Sequence, residues 1–295
     1  MKKRLLTIIA LSLPMLASAQ EAVEIKTVKV ADAIWMLMGN GGNIGVSAGA
    51  DGLFMIDDQY PAMSGNIRQA LQTLHDQPPR FIINTHWHGD HTGGNESFGN
   101  SGTVIVAHEN VRKRMSTDQF IEALNWKVPP SPAAALPMVT FTDAVKFHLN
   151  GDEVRVFHLP PAHTDGDSVV HFQNANVIHT GDLFFNGLYP FIDVSSGGWV
   201  KGMIAAADQI LSMADEDTRI IPGHGPLARK ADLEAFRQML LAVHTRIAAA
   251  VRDGKTLAQV QAMKPTADYD EKWGGGFLKP EQFTAIVYTS VTKSR

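Results

Sequence analysis

The chain contains no cysteine among its 295 residues. This absence excludes disulfide bonds, thiolate metal ligands and a cysteine nucleophile. Charged residues make up only 19% of the sequence and form no long basic block, which argues against a nucleic-acid partner. Histidine, by contrast, occurs 12 times. We therefore look for chemistry that histidine and carboxylate side chains support, acting on a small molecule.

The first 20 residues have the pattern of an export signal. Residues 2–4 are basic, residues 5–16 are largely apolar, and Ala17-Ser18-Ala19 ends the stretch. This order is typical of a cleavable signal peptide, and the apolar part is shorter than the ~20 residues that a membrane anchor needs. We expect cleavage after Ala19, which changes the formal net charge from −4 to −7. Residues 20–295 would then be one periplasmic domain without membrane contact.

Strand and helix patterns alternate along the rest of the chain. Short apolar runs between glycine or proline residues predict strands, among them 34–38, 81–83 and 219–221. Apolar residues at helical spacing predict helices at 200–213 and 109–126, the second with a possible break near position 116. Mixed elements of this kind favour a layered α/β or α+β domain.

The most informative segment is His86-x-His88-x-Asp90-His91, which directly follows an apolar strand. Neutral imidazole and carboxylate groups are the ligands that zinc takes when thiolates are absent. Residues two apart on an extended chain share a face, so His86 and His88 can bind one ion. A turn at Gly89 would direct Asp90 and His91 toward a second ion.

Three later positions repeat this arrangement of an apolar strand, a turn of small residues and a potential ligand. They are His163, Asp182 and His224. Functional groups of layered α/β proteins commonly lie at the ends of strands. We therefore expect these three side chains to join the first motif.

The order of these motifs resembles the metallo-β-lactamase fold superfamily. Asp57, which closes an early strand, matches the first motif of that family. The resemblance implies an α+β fold, a four-layer αβ/βα sandwich of two sheets with helices outside. It implies two zinc ions, one held by His86, His88 and His163 and the other by Asp90, His91 and His224. Asp182 would bridge the two ions, and Asp57 would orient a ligand-bearing loop.

Two departures bear on the substrate. One branch of true β-lactamases has a cysteine where Asp182 stands, and another has no carboxylate there. The metal ligands therefore resemble those of glyoxalase II and the lactonases, whereas the export signal favours a periplasmic β-lactamase.

The resemblance predicts hydrolysis. A water between the zinc ions would ionise near pH 7 and attack a carbonyl carbon, with Asp90 accepting its hydrogen bond or relaying its proton. A β-lactam is the first substrate expected, with a lactone or thioester as the alternative. Iron-dependent persulfide dioxygenases and diiron reductases share much of this ligand set and form a second alternative. A metal-dependent binding protein without turnover is a third.

Overall fold

A computed structural model describes residues 24–293, so the expected signal at 1–19 lies outside the described residues. The described residues form fourteen strands, nine α-helices and five short 3-10 helices. The strands are β1 Lys26–Ala31, β2 Ile34–Met38, β3 Ile44–Gly49, β4 Gly52–Ile56, β5 Pro79–Asn84, β6 Val104–His108, β7 Gln119–Ile121, β8 Trp126–Val128, β9 Val139–Phe141, β10 Ala144–Leu149, β11 Asp152–His158, β12 Ser168–Phe172, β13 Val177–His179 and β14 Arg219–Ile221. The helices are α1 Ser64–Gln72, α2 Gly89–Thr92, α3 Asn95–Gly99, α4 Glu109–Met115, α5 Val200–Met213, α6 Lys230–Arg252, α7 Leu257–Ala262, α8 Asp270–Trp273 and α9 Pro280–Lys293.

The strands make two main sheets and one small hairpin. The first sheet has seven strands in the order β1-β2-β3-β4-β5-β6-β9, and the second has five in the order β10-β11-β12-β13-β14. Antiparallel pairing dominates, but β4, β5, β6 and β9 pair in parallel, as do β13 and β14. The carboxyl ends of these parallel strands therefore share an edge of their sheet.

Three apolar layers hold the two sheets and the helices together. The middle layer joins the facing sides of the sheets, for example Phe54 on β4 and Phe172 on β12. A second layer packs α1 and α3 against the outer side of the first sheet, with Ile67 fully buried. The third packs α5, α6 and α9 against the outer side of the second sheet. The result is the predicted four-layer αβ/βα sandwich, in which the central strands of both sheets are buried on both faces.

The structure corrects two elements of the sequence prediction. The predicted helix 109–126 ends at Met115, because residues 119–121 instead pair with 126–128 in the antiparallel β7–β8 hairpin. Residues 139–147, whose apolar residues predict a single strand, instead belong to two strands, with β9 pairing in the first sheet and β10 beginning the second. Local propensity was overridden in both places by pairing with a distant or a following segment. Among residues 24–293, no helix combines the length and apolar character that crossing a membrane requires.

Candidate metal centre

The seven predicted ligands lie together at one edge of the sandwich. They form two groups of side chains whose potential ligand atoms lie within 4.8 Å of one another. The first group is His86, His88, His163 and Asp182, and the second is Asp90, His91 and His224. His86 to His91 follow β5, whereas the other three residues follow β11, β13 and β14. Each sheet therefore supplies part of the centre.

Asp182 lies between the two groups and presents one carboxylate oxygen to each. Its Oδ2 is 3.4 Å from His163 Nε2 and 3.8 Å from His86 Nε2. Its Oδ1 is 2.9 Å from His91 Nε2 and 3.4 Å from His224 Nε2. This is the geometry required of a carboxylate that bridges two ions.

The spacing of the donor atoms fits divalent metal ions. Ligand atoms about 2.1 Å from a tetrahedral zinc stand roughly 3.4 Å apart. The distance is 2.9 Å between His163 Nε2 and His88 Nδ1, and 3.2 Å between His224 Nε2 and Asp90 Oδ2. In addition, His86 Nε2 is buried and has no hydrogen-bond partner within residues 24–293. A buried imidazole nitrogen without a partner is costly, and a metal ion would satisfy it.

Close backbone packing around the ligands explains the glycines near them. Gly42, in the turn between β2 and β3, donates its N–H to the Asp90 carbonyl at 3.0 Å. A Cβ atom at Gly42 would lie 2.1 Å from the His91 ring, and one at Gly223 would lie 2.0 Å from Asp182 Oδ1. Any side chain at either position would displace a ligand.

Each ligand histidine that contacts a second partner is oriented by it. His91 Nδ1 donates to Asp57 Oδ2 at 2.8 Å, as the resemblance implied for Asp57. His163 Nδ1 donates to the Phe191 carbonyl at 2.7 Å. His88 uses Nε2 to contact Asp193 Oδ2 at 3.1 Å, which leaves Nδ1 to face the other ligands. Such partners fix the tautomer and the ring orientation of a metal-binding histidine.

Sequence reasoning missed Asp193 and Asn43. Asp193 lies 105 residues from His88, so no local spacing signals its role. Asn43 Nδ2 donates to the carbonyls of Pro222 and Gly225 at 2.9 and 2.8 Å and so fixes the loop that carries His224. Its position in a glycine-rich turn was the only available signal.

His179 joins the Asn43 turn to the turn that carries Asp182. Its Nε2 donates to the Asn43 carbonyl, and its Nδ1 accepts the N–H of Gly181, each at 3.1 Å. Burial lowers the pKa of His179 to about 4, so the ring is neutral and keeps this donor–acceptor pattern.

Burial and neighbouring charges keep some of the ligand side chains neutral and others charged. Burial lowers the pKa of His163 to about 4, so this ring remains neutral and able to ligate. Burial works against the charged form of His224 as well, but the Asp182 and Asp90 carboxylates outweigh it and raise the pKa of His224 to about 9. Burial also opposes ionisation of Asp90, yet His91 and His224 lower its pKa to about 2. The Asp182 and Asp90 carboxylates thus favour a proton on His224, whereas burial keeps His163 neutral.

The aromatic side chains that follow Asp182 along the chain pack mostly into the core. Phe184, Phe185 and Tyr189 are buried, whereas Trp199 is partly exposed. Trp87 is buried beside His88, with 4.8 Å between ring centroids. Access to the metal centre is therefore greatest at Asp90 and His224, whose side chains are 22% and 24% exposed.

Comparison with known proteins agrees with this geometry at the level of the family. The fold matches a crystal structure of the DIM-1 metallo-β-lactamase with a TM-score of 0.60 and 17% identity, covering 74% of this chain and 98% of that one. Residues 39–235 match the family model of the metallo-β-lactamase superfamily. The chain belongs to that superfamily.

Two curated relatives of the chain have names that describe different activities. The 2,4-dinitroanisole O-demethylase subunit alpha of Nocardioides sp. (strain JS1661) is 24% identical over 246 residues, covering 81% of this chain and 70% of the relative. The acyl-coenzyme A thioesterase MBLAC2 of Bos taurus is 23% identical over 209 residues, covering 65% of this chain and 72% of the relative.

Proposed function

We propose that the protein is a hydrolase that binds two zinc ions and cleaves a carbonyl substrate in the periplasm. The observation that carries this proposal is the position of Asp182, with one oxygen facing each ligand group. His86, His88 and His163 would hold one ion, and Asp90, His91 and His224 the other. Imidazole and carboxylate donors without thiolate suit zinc.

When bound, two zinc ions acidify a water and polarise the substrate carbonyl. The residues of the chain would orient the water and set the direction from which the substrate approaches. Asp90 directs Oδ2 toward His224 and His91, at 3.2 and 3.6 Å, which leaves Oδ1 to accept a hydrogen bond from the attacking water. Because Asp90 and His224 are the partly exposed ligands, the substrate would approach from their side. The other ligands are nearly inaccessible and act as rigid supports.

A β-lactam is the first substrate that we propose, because the metallo-β-lactamase fold is here combined with an apparent export signal. A lactone or thioester is the alternative, favoured by Asp182, and a thioesterase relative is consistent with it. A panel of penicillins, a cephalosporin, a carbapenem, lactones and glutathione thioesters would test both with zinc-loaded protein. Hydrolysis that is lost on chelation and in Asp90→Asn, but kept in the surface control Asp118→Asn, is the expected result.

Elemental analysis of gently purified protein distinguishes hydrolysis from the iron-dependent alternative. Zinc near two ions per chain would agree with the two ligand groups. A single tightly bound iron, together with no turnover in the panel, would contradict the proposal. Export is tested separately by the N-terminal sequence of protein from the native envelope, where Gln20 should be the first residue.

A further inference from the structure

Tyr60 is the first exposed residue after a buried segment that packs against the metal-ligand loop. The three residues before it are fully buried, whereas Tyr60 is 39% exposed. The backbone N–H of Asp58 donates to the His91 carbonyl at 2.8 Å. That of Gly94 donates to the Gln59 carbonyl at 3.1 Å. The chain therefore reaches the surface at Tyr60, directly beside the metal-ligand loop.

Gln59 fixes the backbone that carries Tyr60. Its φ angle is +59°, in the left-handed region that a glutamine rarely adopts. Its side-chain Nε2 donates to the Gly42 carbonyl at 2.8 Å, and the Gly42 N–H donates to the Asp90 carbonyl at 3.0 Å. Strained residues that several contacts hold in place are concentrated at functional sites. These contacts keep the residue after Gln59 in a fixed position next to Asp90.

The hydroxyl of Tyr60 lies in the electric field of two metal-site carboxylates. Partial burial of the ring, Asp90 and Asp182 together raise the pKa of Tyr60 above its usual value of about 10. Asp90 and Asp182 belong to different ligand groups. A single neutral hydroxyl therefore stands on the open side of the centre, within reach of the charges of both groups.

This hydroxyl is available to a ligand. Within residues 24–293 it has no hydrogen-bond partner. By contrast, the hydroxyl of Tyr189 donates to Asp270 Oδ1 at 2.8 Å, and that of Tyr288 donates to the Lys255 carbonyl at 3.2 Å. A donor placed where negative charge develops during a reaction stabilises the transition state. In carbonyl hydrolysis, that charge develops on the carbonyl oxygen.

We propose that Tyr60 is a further catalytic residue, whose hydroxyl donates a hydrogen bond to the carbonyl oxygen of the substrate during attack. This role rests on the proposed function. As the oxygen of the attacking water bonds to the carbonyl carbon, one electron pair of the C=O bond moves onto the carbonyl oxygen. Tyr60 stabilises that charged oxygen and keeps its own proton. The electron pair returns when the bond to the leaving atom breaks, and the proton of the water ends on the leaving atom.

Tyr60→Phe removes the hydroxyl and keeps the ring. In zinc-loaded protein, kcat for a hydrolysed panel substrate should fall roughly 10- to 100-fold, because the lost hydrogen bond is made to a charged oxygen. KM should change little, since that oxygen is uncharged in the bound substrate. Tyr269→Phe is the matched control, because Tyr269 lies beside Arg246 in the helical layer outside the second sheet. Both variants should keep the zinc content of wild type.

Dimethylphosphinate provides a measurement that needs no turnover. This tetrahedral anion resembles the substrate at the moment when its carbonyl oxygen is charged. Calorimetry should show that it binds zinc-loaded Tyr60→Phe more weakly than wild type by a similar factor. In ¹⁹F spectra of protein labelled with 3-fluorotyrosine, the chain's four tyrosines give four signals, and the one absent from Tyr60→Phe belongs to Tyr60. Dimethylphosphinate should shift that signal.

A Tyr60→Phe variant that turns over substrate as fast as wild type, or binds dimethylphosphinate as tightly, would overturn the proposal. Turnover by wild type in that case would leave the proposed function in place. Loss of zinc from Tyr60→Phe together with its activity would show a structural role instead and would also overturn it. A shifted Tyr60 signal and weaker dimethylphosphinate binding, with no panel substrate hydrolysed by wild type, would keep the Tyr60 contact and reject the proposed function.

Discussion

Asp57 Oδ2 lies 2.8 Å from His91 Nδ1, and both side chains are fully buried. The carboxylate also accepts hydrogen bonds from Thr85, through the backbone N–H at 2.8 Å and Oγ1 at 2.7 Å. Asp57 therefore connects the end of β4 to both ends of the first ligand motif. With its Nδ1 proton held there, His91 presents Nε2 to the second ligand group.

Replacing Asp57 by asparagine should weaken zinc binding without changing the ligands. The amide has nearly the same size, but it no longer offers two acceptor oxygens to His91 and Thr85. The affinity of the weaker zinc site should fall by roughly 10- to 100-fold. Competition with a chromophoric chelator measures this, with Asp118→Asn as the surface control. Equal zinc affinities in Asp57→Asn and wild type would show that this contact does not prepare His91 for binding.

Asp193 plays the corresponding part for His88 in the first ligand group. Asp193→Asn should lower zinc affinity at that group by roughly 10- to 100-fold, because the His88 tautomer is then no longer fixed. Ser195→Ala is the matched control, since Ser195 contacts the other carboxylate oxygen and does not touch His88. The same chelator titration applies to both variants. A larger loss in Ser195→Ala than in Asp193→Asn would contradict the assignment.

Asp182→Ala tests the bridge. The first group retains three histidines that are at most 8% exposed, whereas the second retains the partly exposed Asp90 and His224. We expect the variant to bind about one zinc ion per chain instead of about two, and to lose most of its hydrolytic activity. Zinc content and turnover are measured together. Two zinc ions and full activity in Asp182→Ala would mean that Asp182 is not a ligand.

His108 should make the fold sensitive to acid at a place remote in sequence from the ligands. Burial, together with the His158 ring stacked at 3.9 Å, lowers the pKa of His108 below 6.5. As the pH falls through 6.5, the unfolded chain takes up this proton before the folded protein does, so the free energy of unfolding decreases.

His108→Asn removes this titration and keeps an acceptor for the N–H of Asn110 at the start of α4. Between pH 7 and pH 5 the variant should lose less stability than wild type. Urea unfolding at each pH gives the comparison, and metal-linked losses cancel because both proteins share the same ligands. Parallel pH profiles for the two proteins would refute the prediction.

The ligand motifs were predictable because they are local. The first motif places three histidines and an aspartate within six positions after a strand. This spacing alone indicates which side chains lie on the same face of the chain. The strands that carry His163, Asp182 and His224 were visible in the same way, as apolar runs ending in turns of small residues. The family resemblance then supplied the layer order, which the two sheets confirm.

The features that the sequence did not predict depend on residues far away in the chain. Strand β3, with the sequence Ile-Gly-Val-Ser-Ala-Gly, was not predicted, because its two glycines weaken the strand signal. Pairing with β2 and β4 nevertheless keeps it extended. Strand β7 fell within the helix predicted for 109–126, because only pairing with β8 stabilises it as a strand. Asp193 and Asn43 likewise acquire their roles only when the chain is folded.

Because the ligands are divided between the two sheets, metal binding also depends on how the sheets are aligned. His86 and His91 are attached to the first sheet, and His163 and His224 are attached to the second. A shift of one sheet against the other by even an ångström would exceed the tolerance of metal–ligand bonds. Metal affinity would therefore report how well the two sheets are aligned. Substitutions deep in the middle layer, such as at Phe54 or Phe172, should be detectable at the metal centre without touching it.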